Sequence, residues 1–425
     1  MSRWKIKEST LLGEKYYFAR HKSGLSIYVL PKQMSITYAA LAVNYGSIDN
    51  ITNDKGDKLL PGGIAHFLEH KLFANEDGSD SFERFSALGA DANAYTAYNR
   101  TVYLFSCTDR FEPALTELLD FVTHPHFTDE SVDKEQGIIA EEIRMCMDDP
   151  YDRCYRNMLR GLYRTHAIRE DICGSESSIA TITPEILYKA YQSYYTLSNM
   201  ALVICGDVCA ESVWEIVDNC LQTFEEGSLP RRCTESEPAS VASSKMMAKG
   251  QVAKPIFSIG VKDVAVPASS EARIWRDAAM EILCEMLFSD TGELYNGLLD
   301  AGLISPEFSS GYDRTRDVGF WRLASESDEP ERVLEEVQSF LARVRSEGLS
   351  KEEFEHCKRI IFAEYIKGFD STEEISENFL AFVLEDADLF DYAEVLRGVT
   401  FESVQAIFDS FFDPARFTLS VVRPN

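Results

Sequence analysis

The sequence contains no long uninterrupted run of apolar residues. A membrane-spanning helix needs roughly 20 consecutive, mostly apolar residues, and no run in these 425 residues approaches that length. The N-terminal stretch MSRWKIKEST also lacks the apolar segment of a secretory signal peptide. We therefore expect a protein that neither crosses a membrane nor is secreted.

Positive charge is also scarce, because 42 Lys and Arg residues stand against 70 Asp and Glu residues, a formal net charge of -28. A surface of this sign repels nucleic acids and anionic membranes, so we expect neither as a partner. The same charge also serves solubility, which is the more general explanation. With 45% hydrophobic and 26% charged residues, the composition is ordinary for a globular protein.

Cysteine pairs of the C-x-x-C type are missing among the ten cysteines. Scattered cysteines are typical of reduced thiols rather than of a disulfide framework or a zinc ribbon. This pattern predicts a cytoplasmic location. The length of 425 residues allows two or three domains, each able to bury a core of its own.

The first half of the chain alternates aromatic and β-branched runs with amphipathic helical patterns. Strands separated by helices predict an α+β fold in which helices cover a sheet. The predicted strands span 25–30, 36–44, 93–107 and 200–205, and the predicted helices span 64–73, 80–87, 112–122, 129–147, 151–163, 184–194 and 210–224.

Residues 226–250 are polar, rich in proline and serine, and without periodicity, which predicts a linker. A long surface loop within one domain is the alternative. On the linker interpretation, residues 1–225 form an N-terminal catalytic domain and residues 251–425 form a C-terminal domain.

The second half of the chain echoes the first. The sequence LEHKLF at 68–73 is matched by LCEMLF at 283–288, and residues 128–142 align with residues 350–364. A repeat of roughly two hundred residues predicts a duplicated domain.

The most informative segment is GGIAHFLEHKLF, which holds the order H-x-x-E-H at His66, Glu69 and His70. Helical spacing puts these side chains on one face, one turn apart. Two imidazoles at i and i+4 can hold a zinc ion, and a carboxylate at i+3 can reach its water. The corresponding positions of the second copy hold no histidine: Glu281, Cys284 and Glu285. The chemistry is therefore expected only in the first domain.

Catalytic zinc takes three protein ligands and leaves one position open, so a third ligand is needed from a neighbouring helix. The helical pattern at 135–142 places Glu135 and Glu142 two turns apart on one face. We predict Glu142 as the ligand and Glu135 as the carboxylate that orients an imidazole. Glu69 would be the general base that takes a proton from the metal-activated water. The alternative is a solvated acidic helix face formed with Glu141.

Three segments together resemble the pitrilysin/insulinase family of zinc peptidases, the inverzincins, which include mitochondrial processing peptidase. They are GIAHFLEHKLF at 63–73, NAYT at 93–96 and EQGIIAEE at 135–142. The chain is most similar to the half-length bacterial members. The resemblance implies two homologous α/β sandwich domains, each a sheet covered by helices, which form half of a clamshell.

The resemblance also implies roles for single residues. Positions matching His66, His70 and Glu142 bind Zn²⁺ in the family. Those matching Glu69 and Glu135 act as the base and as a supporting carboxylate. A strand at a sheet edge receives the substrate peptide by strand addition, and its matching residues are Asn93, Ala94 and Tyr95.

One part of the family pattern is missing. Active members carry an Arg and a Tyr in the second half that bind substrate, whereas the matching stretch 298–305 has Leu299 and Ser305 at those positions. We therefore expect a heterodimer with a zinc-free subunit that carries the Arg–Tyr pair. A homodimer is the alternative, in which other residues would form the clamp: Tyr312 with Arg314 or Arg316.

The leading functional prediction is a zinc-dependent endopeptidase that hydrolyses peptides or unfolded segments and needs a partner subunit for full activity. The alternatives are a non-catalytic scaffold or chaperone-like subunit, and a maturation protease for one ribosomally made peptide. The presence of His66, Glu69, His70 and Glu142 together argues against the scaffold. A scaffold has no use for a general base beside two imidazoles.

Overall fold

A computed structural model describes residues 3–49, 60–228 and 236–425 of the chain. Its strands are β1 (Lys5–Ser9), β2 (Glu14–Arg20), β3 (Ser26–Pro31), β4 (Thr37–Val43), β5 (Asp91–Thr96), β6 (Thr101–Cys107), β7 (Met200–Gly206), β8 (Lys245–Gly250), β9 (Ile256–Asp263), β10 (Ser309–Arg314), β11 (Gly319–Glu326) and β12 (Phe417–Pro424). Its α-helices are α1 (Ile64–Leu72), α2 (Ser81–Leu88), α3 (Phe111–Thr123), α4 (Asp129–Asp148), α5 (Pro150–Leu162), α6 (Glu176–Ile179), α7 (Pro184–Tyr194), α8 (Ala210–Cys220), α9 (Ser270–Phe288), α10 (Glu293–Asp300), α11 (Pro330–Glu347), α12 (Lys351–Lys367), α13 (Thr372–Val383), α14 (Tyr392–Gly398) and α15 (Phe401–Phe411). None of the helices in these ranges is both long and apolar enough to cross a bilayer.

The first sheet has seven strands in the order β1-β2-β3-β7-β4-β6-β5. Neighbouring strands are antiparallel except β3 and β7, which run parallel. The prediction of one strand over 93–107 is wrong, because this segment forms β5 and β6. The chain reverses where the Ala97 N–H donates to the Arg100 carbonyl over 2.8 Å. Asn99, a residue type that favours turns, lies inside this reversal. The turn was not predicted because aromatic residues continue along the segment on both sides of Asn99.

The second sheet has five strands in the order β10-β11-β9-β12-β8. Only β8 and β12 are parallel neighbours. The order and directions repeat those of β5-β6-β4-β7-β3 in the first sheet. The predicted pair of α/β domains, each with a helix-covered sheet, is therefore confirmed.

The chain divides into two compact units, each with one sheet and each discontinuous in sequence. The first unit comprises Met1–Ile143, Asp171–Cys233 and Ile366–Phe390, and the second comprises Arg144–Glu170, Thr234–Tyr365 and Asp391–Asn425. The predicted domains 1–225 and 251–425 differ from these units by two exchanged segments: residues 144–170 belong to the second unit, and residues 366–390 belong to the first unit. Within the predicted linker 226–250, residues 245–250 form β8 and residues 229–235 lie outside the described residues. The linker therefore stays a prediction.

Each exchanged segment contributes a helix that packs on the sheet of the unit to which the segment belongs. In the second unit, α5 packs on β9 and β12. The approach is so close that a Cβ on Gly161 would lie 2.4 Å from Thr418 Cγ2. In the first unit, α13 packs on β4 and β7. The side chains of Ala40 and Ala42, on the same face of β4 as Tyr38, are small enough to admit that helix.

The other face of the first sheet holds the helix that carries H-x-x-E-H. Ala39 and Leu41 on β4 share one hydrophobic core with α1 and α3. Phe67 and Leu68 of α1 are completely buried in this core. Each contributes about 1.5–3 kcal/mol of hydrophobic stabilisation. This burial fixes the position of α1 relative to the sheet.

Candidate metal centre

α1 starts directly after two glycines. Gly63 has a φ of 86°, and a Cβ there would lie 2.4 Å from the Cys173 carbonyl oxygen. Both the left-handed backbone and the close contact therefore require glycine at this position. The helix that follows brings His66, Glu69 and His70 one turn apart.

Three donor groups from α1 and α4 converge. His66 Nε2 lies 3.5 Å from Glu142 Oε1, and His70 Nε2 lies 3.6 Å from Glu142 Oε2. One donor atom from each of these three residues lies within 4.8 Å of the other two, the only such group in the residues that the structure describes. Zinc bonds of about 2.0–2.1 Å at tetrahedral angles separate ligand atoms by about 3.3–3.4 Å. The donor types and their spacing therefore fit one zinc ion.

Glu135 orients the second imidazole. His70 Nδ1 lies 3.1 Å from Glu135 Oε1, and the buried Lys71 Nζ lies 3.8 Å from Glu135 Oε2. An ionised carboxylate only accepts hydrogen bonds, so Nδ1 of His70 carries the proton. The lone pair of Nε2 then points toward Glu142, as a metal ligand requires.

The charges of this cluster stabilise one another. Burial alone would lower the pKa of His70, but the hydrogen bond to Glu135 and the charges of Glu69, Glu135 and Glu142 raise it overall. The pKa of Glu142 is lowered, first by its hydrogen bond with His66 and then by the charges of both imidazoles, against an opposing effect of burial. The surrounding carboxylates thus favour positive charge at this position, which is what a metal cation supplies.

Glu69 is buried and has a defined partner. Its exposed fraction is 9%, and Thr96 Oγ1 donates to its Oε2 over 2.6 Å. The hydroxyls of Tyr103 and Tyr195 lie 2.8 Å apart nearby. Burial raises the pKa of both tyrosines, and the charge of Glu69 adds to that increase. Sequence reasoning identified the NAYT segment but missed that its threonine holds the proposed base.

Asn93, Ala94 and Tyr95 lie on β5, which ends the order of the first sheet and pairs with β6. The Ala94 N–H donates to Asn93 Oδ1 over 2.9 Å. The Tyr95 hydroxyl donates to Glu377 Oε2 on α13 over 2.5 Å, and Tyr38 donates to the same carboxylate over 3.0 Å. Burial and the charge of Glu377 raise the pKa of Tyr95. The Tyr95 side chain therefore anchors the strand to α13.

The second unit replaces the imidazoles with carboxylates. Glu281 and Glu285 on α9 occupy the positions that correspond to His66 and His70. The Tyr392 hydroxyl donates to Glu281 Oε2 over 2.6 Å. This arrangement is a hydrogen bond between two side chains, not a set of converging nitrogen and oxygen ligands.

Two residues of the alternative clamp, Tyr312 and Arg314, already bind carboxylates of the second unit. The Tyr312 hydroxyl donates to Asp263 Oδ2 over 2.7 Å. Arg314 donates two parallel hydrogen bonds of 2.6 Å to Asp277. Both side chains thus have structural partners in their own unit, which argues against a clamp built from them.

Two family models match the chain. The model described as insulinase (peptidase family M16) matches residues 29–176, and the model described as the peptidase M16 inactive domain matches residues 181–361. The first match contains the whole donor group of the first unit. The second match contains α9 and its glutamates.

Similar proteins of known sequence or structure agree with these matches. The uncharacterized zinc protease YmfH of Bacillus subtilis (strain 168) is 35% identical over 419 residues, 97% of either chain. The crystal structure of a putative M16-like peptidase from Alicyclobacillus acidocaldarius is 34% identical, with a TM-score of 0.92 over 97% of this chain and 99% of that chain. The periplasmic protease PqqL from Escherichia coli shares the fold at 16% identity, with a TM-score of 0.76 over 99% of this chain and 48% of that chain. This chain thus corresponds in length to about half of PqqL.

Proposed function

The chain belongs to the insulinase family of peptidases (peptidase family M16), and from this membership we propose that it is a zinc-dependent endopeptidase. The observation that carries the proposal is the group of converging donor atoms from His66, His70 and Glu142. Two imidazoles and one carboxylate are a ligand set of catalytic zinc in peptidases. This set leaves one coordination position open for chemistry.

A bound zinc ion would act as a Lewis acid that polarises the scissile carbonyl and makes water more acidic. The proton transfers fall to Glu69, which accepts a proton from the attacking water and later returns it to the leaving amine. Thr96 fixes the orientation of the Glu69 carboxylate through its hydrogen bond of 2.6 Å. Glu135 keeps His70 in the tautomer that leaves Nε2 available as a ligand.

The substrate would be a peptide or an unfolded segment that adds as a strand to the edge of β5. Asn93, Ala94 and Tyr95 would receive it mainly through their backbone groups. The hydroxyl of Tyr95 is already bound to Glu377, so this side chain supports the strand rather than the substrate. The hydrogen bond from the Ala94 N–H to Asn93 would be exchanged for one to the peptide.

Full activity would need a second subunit that is zinc-free and carries the Arg–Tyr pair. Leu299 and Ser305 stand where active relatives carry those residues. The correspondence to about half of the PqqL chain supports the same arrangement. A cytoplasmic location stays a prediction, consistent with the finding that none of the nine cysteines in the described ranges forms a disulfide.

The test combines metal analysis with peptide cleavage, for the chain alone and with a candidate partner subunit. We expect one zinc ion per chain, cleavage of unfolded peptides that increases with the partner, and loss of cleavage with retained zinc in Glu69→Gln. The matched control is Glu141→Gln, an exposed neighbour of Glu142 on α4, which should keep both zinc and activity. Wild-type protein that takes up no zinc, or a fully active Glu69→Gln, would contradict the proposal.

A further inference from the structure

Cys173 brings a thiol to the metal-facing side of His66. Its Sγ lies 4.0 Å from His66 Nε2, the nitrogen that also faces Glu142 at 3.5 Å. The other ring nitrogen of His66, Nδ1, has no hydrogen-bond partner among the described atoms, although the residue is only 7% exposed. His70 thus has a carboxylate to orient it, whereas His66 has a thiol beside its ligand nitrogen.

The backbone around Cys173 is pressed against the start of α1. A Cβ on Gly63 would lie 2.4 Å from the Cys173 carbonyl oxygen, and a Cβ on Gly174 would lie 2.6 Å from the Gly62 carbonyl oxygen. Ser178 Oγ donates to the Gly62 carbonyl over 2.8 Å. The close backbone contacts leave no space between this loop and the start of α1, and the Ser178 hydrogen bond joins the two, so Cys173 lies at a defined position beside the helix of the two histidines.

The thiol is within reach of a metal held by His66. A zinc–nitrogen bond of about 2.0–2.1 Å and a zinc–sulfur bond of about 2.3 Å add up to about 4.3–4.4 Å. The separation of 4.0 Å between Nε2 and Sγ is shorter than this sum, so one zinc ion can contact both atoms. Cys173 is outside the group whose donor atoms all lie within 4.8 Å of one another. Rotation about its Cα–Cβ bond moves the sulfur toward or away from that group.

We propose that Cys173 is a fourth ligand that the chain itself supplies to the metal, a thiolate that closes the position which peptide hydrolysis needs open. This inference rests on the zinc site of the proposed function. On binding, the thiol releases its proton to solvent and a sulfur lone pair forms the bond to the metal. Four protein ligands are typical of structural zinc, and three with an open position are typical of catalytic zinc. The rotation of one side chain would therefore switch the site between a resting and an active form.

The test uses cobalt(II), because this ion replaces zinc in tetrahedral sites and its absorption spectrum reports bound thiolate. Full-length protein, stripped of metal and loaded with one equivalent of Co²⁺, is expected to show a sulfur-to-cobalt charge-transfer band. Cys173→Ser is expected to lose the band and to keep one Co²⁺ per chain. The matched control is Cys220→Ser on α8, because Cys220 has the same intermediate exposure in the first unit. This variant should keep the band.

A second measurement follows the wild-type thiol directly and so does not depend on the folding of a serine variant. Zn²⁺ should slow the alkylation of Cys173 by iodoacetamide, read by mass spectrometry, and this protection should be lost in Glu142→Gln. Wild-type protein that binds Co²⁺ without the band would overturn the role of Cys173 and leave the three-ligand site standing. Wild-type protein that binds no Co²⁺ would overturn the proposed zinc site, and this inference with it.

Discussion

The two units share one fold and differ in their chemistry. Five strands follow the same order with the same directions in both sheets. The positions of the two histidines nevertheless hold Glu281 and Glu285 in the second unit, and the position of Glu69 holds Cys284. Since the same scaffold forms with either set, the fold does not require the site. The function therefore has to be tested residue by residue, with the second unit as an internal control.

The electrostatics of the two units differ in direction. In the first unit, the hydrogen bond with His66 lowers the pKa of Glu142. In the second unit, desolvation raises the pKa of Glu281 to about 7, and the charges of Asp277 and Glu364 add to this increase, against the hydrogen bond from Tyr392. Carboxylates without imidazoles repel one another and so retain protons. The imidazoles and carboxylate of the first unit therefore favour the binding of a metal ion, whereas the carboxylate of Glu281 in the second unit favours a bound proton.

Removal of the proposed base should give the largest difference between the units. Glu69→Gln removes the charge but keeps the size of the side chain and an acceptor for Thr96. General base catalysis contributes about 10²–10⁴-fold, so kcat for peptide cleavage in the presence of the partner should fall by that factor. Zinc content should not change. Cys284→Ser, the matching substitution in the second unit, should leave kcat at the wild-type value, and equal losses in both variants would refute the assignment.

Removal of the orienting carboxylate should have the second largest effect. Glu135→Gln weakens the hydrogen bond that fixes His70. Outer partners of metal-ligating histidines contribute about 10–100-fold to metal affinity, so zinc affinity, measured by competition with a chelator, should fall by about tenfold or more. The alignment of 128–142 with 350–364 puts Cys357 at the matching position of the second unit. Cys357→Ser should leave zinc affinity unchanged, and an unchanged affinity in Glu135→Gln would contradict the orienting role.

The fold was predictable where the signal is local. Amphipathic spacing predicts α1, and the matching hexapeptides at 68–73 and 283–288 predict the duplication. The exchange of α5 and α13 was not predictable. The amphipathic pattern of a helix shows that one face is buried but not which sheet buries it. The turn between β5 and β6 was not predictable either, because aromatic residues continue on both sides of it.

The site was predictable where helical spacing decides it. His66, Glu69 and His70 lie one turn apart on one helix, and Glu135 and Glu142 lie two turns apart on another. Contacts between residues that are far apart in the sequence leave no periodic pattern from which they could be predicted. Thr96 holds Glu69 across 27 positions of sequence, and Cys173 approaches His66 across 107. Whether two such residues come into contact depends on the tertiary structure, so these contacts are seen only in the folded protein.

The packing of the exchanged helix in the second unit can be tested through one glycine. Gly161→Ala would place a Cβ 2.4 Å from the buried Thr418, a rigid β-branched neighbour. Overpacking of this kind costs about 1–3 kcal/mol, so the temperature of thermal unfolding should fall. Gly137→Ala on α4 is the matched control, because nothing lies within 4 Å of its Cβ position. This helical substitution should instead stabilise by about 0.5–1 kcal/mol. A shift of the same sign in both variants would refute the close approach of α5.

The smallest expected effect is a change in how stability depends on pH, and it tests whether the second unit holds a proton. The pKa of Glu281 is about 7 in the folded protein and 4.5 as the ordinary value. Between these values the folded state binds more protons than the unfolded state, so stability falls as the pH rises through that window.

Gln cannot ionise, so Glu281→Gln should be more stable relative to wild type at pH 8 than at pH 5, as measured by thermal unfolding. Protein atoms surround the Glu281 carboxylate, but the residue as a whole is exposed, so solvent screens its charge and keeps the effect small. Glu141→Gln, which replaces an exposed glutamate of the first unit, is the matched control for the removal of one carboxylate. If Glu281→Gln shifts stability equally at both pH values, Glu281 contributes by packing alone, and the contrast between a metal-binding and a proton-binding unit fails.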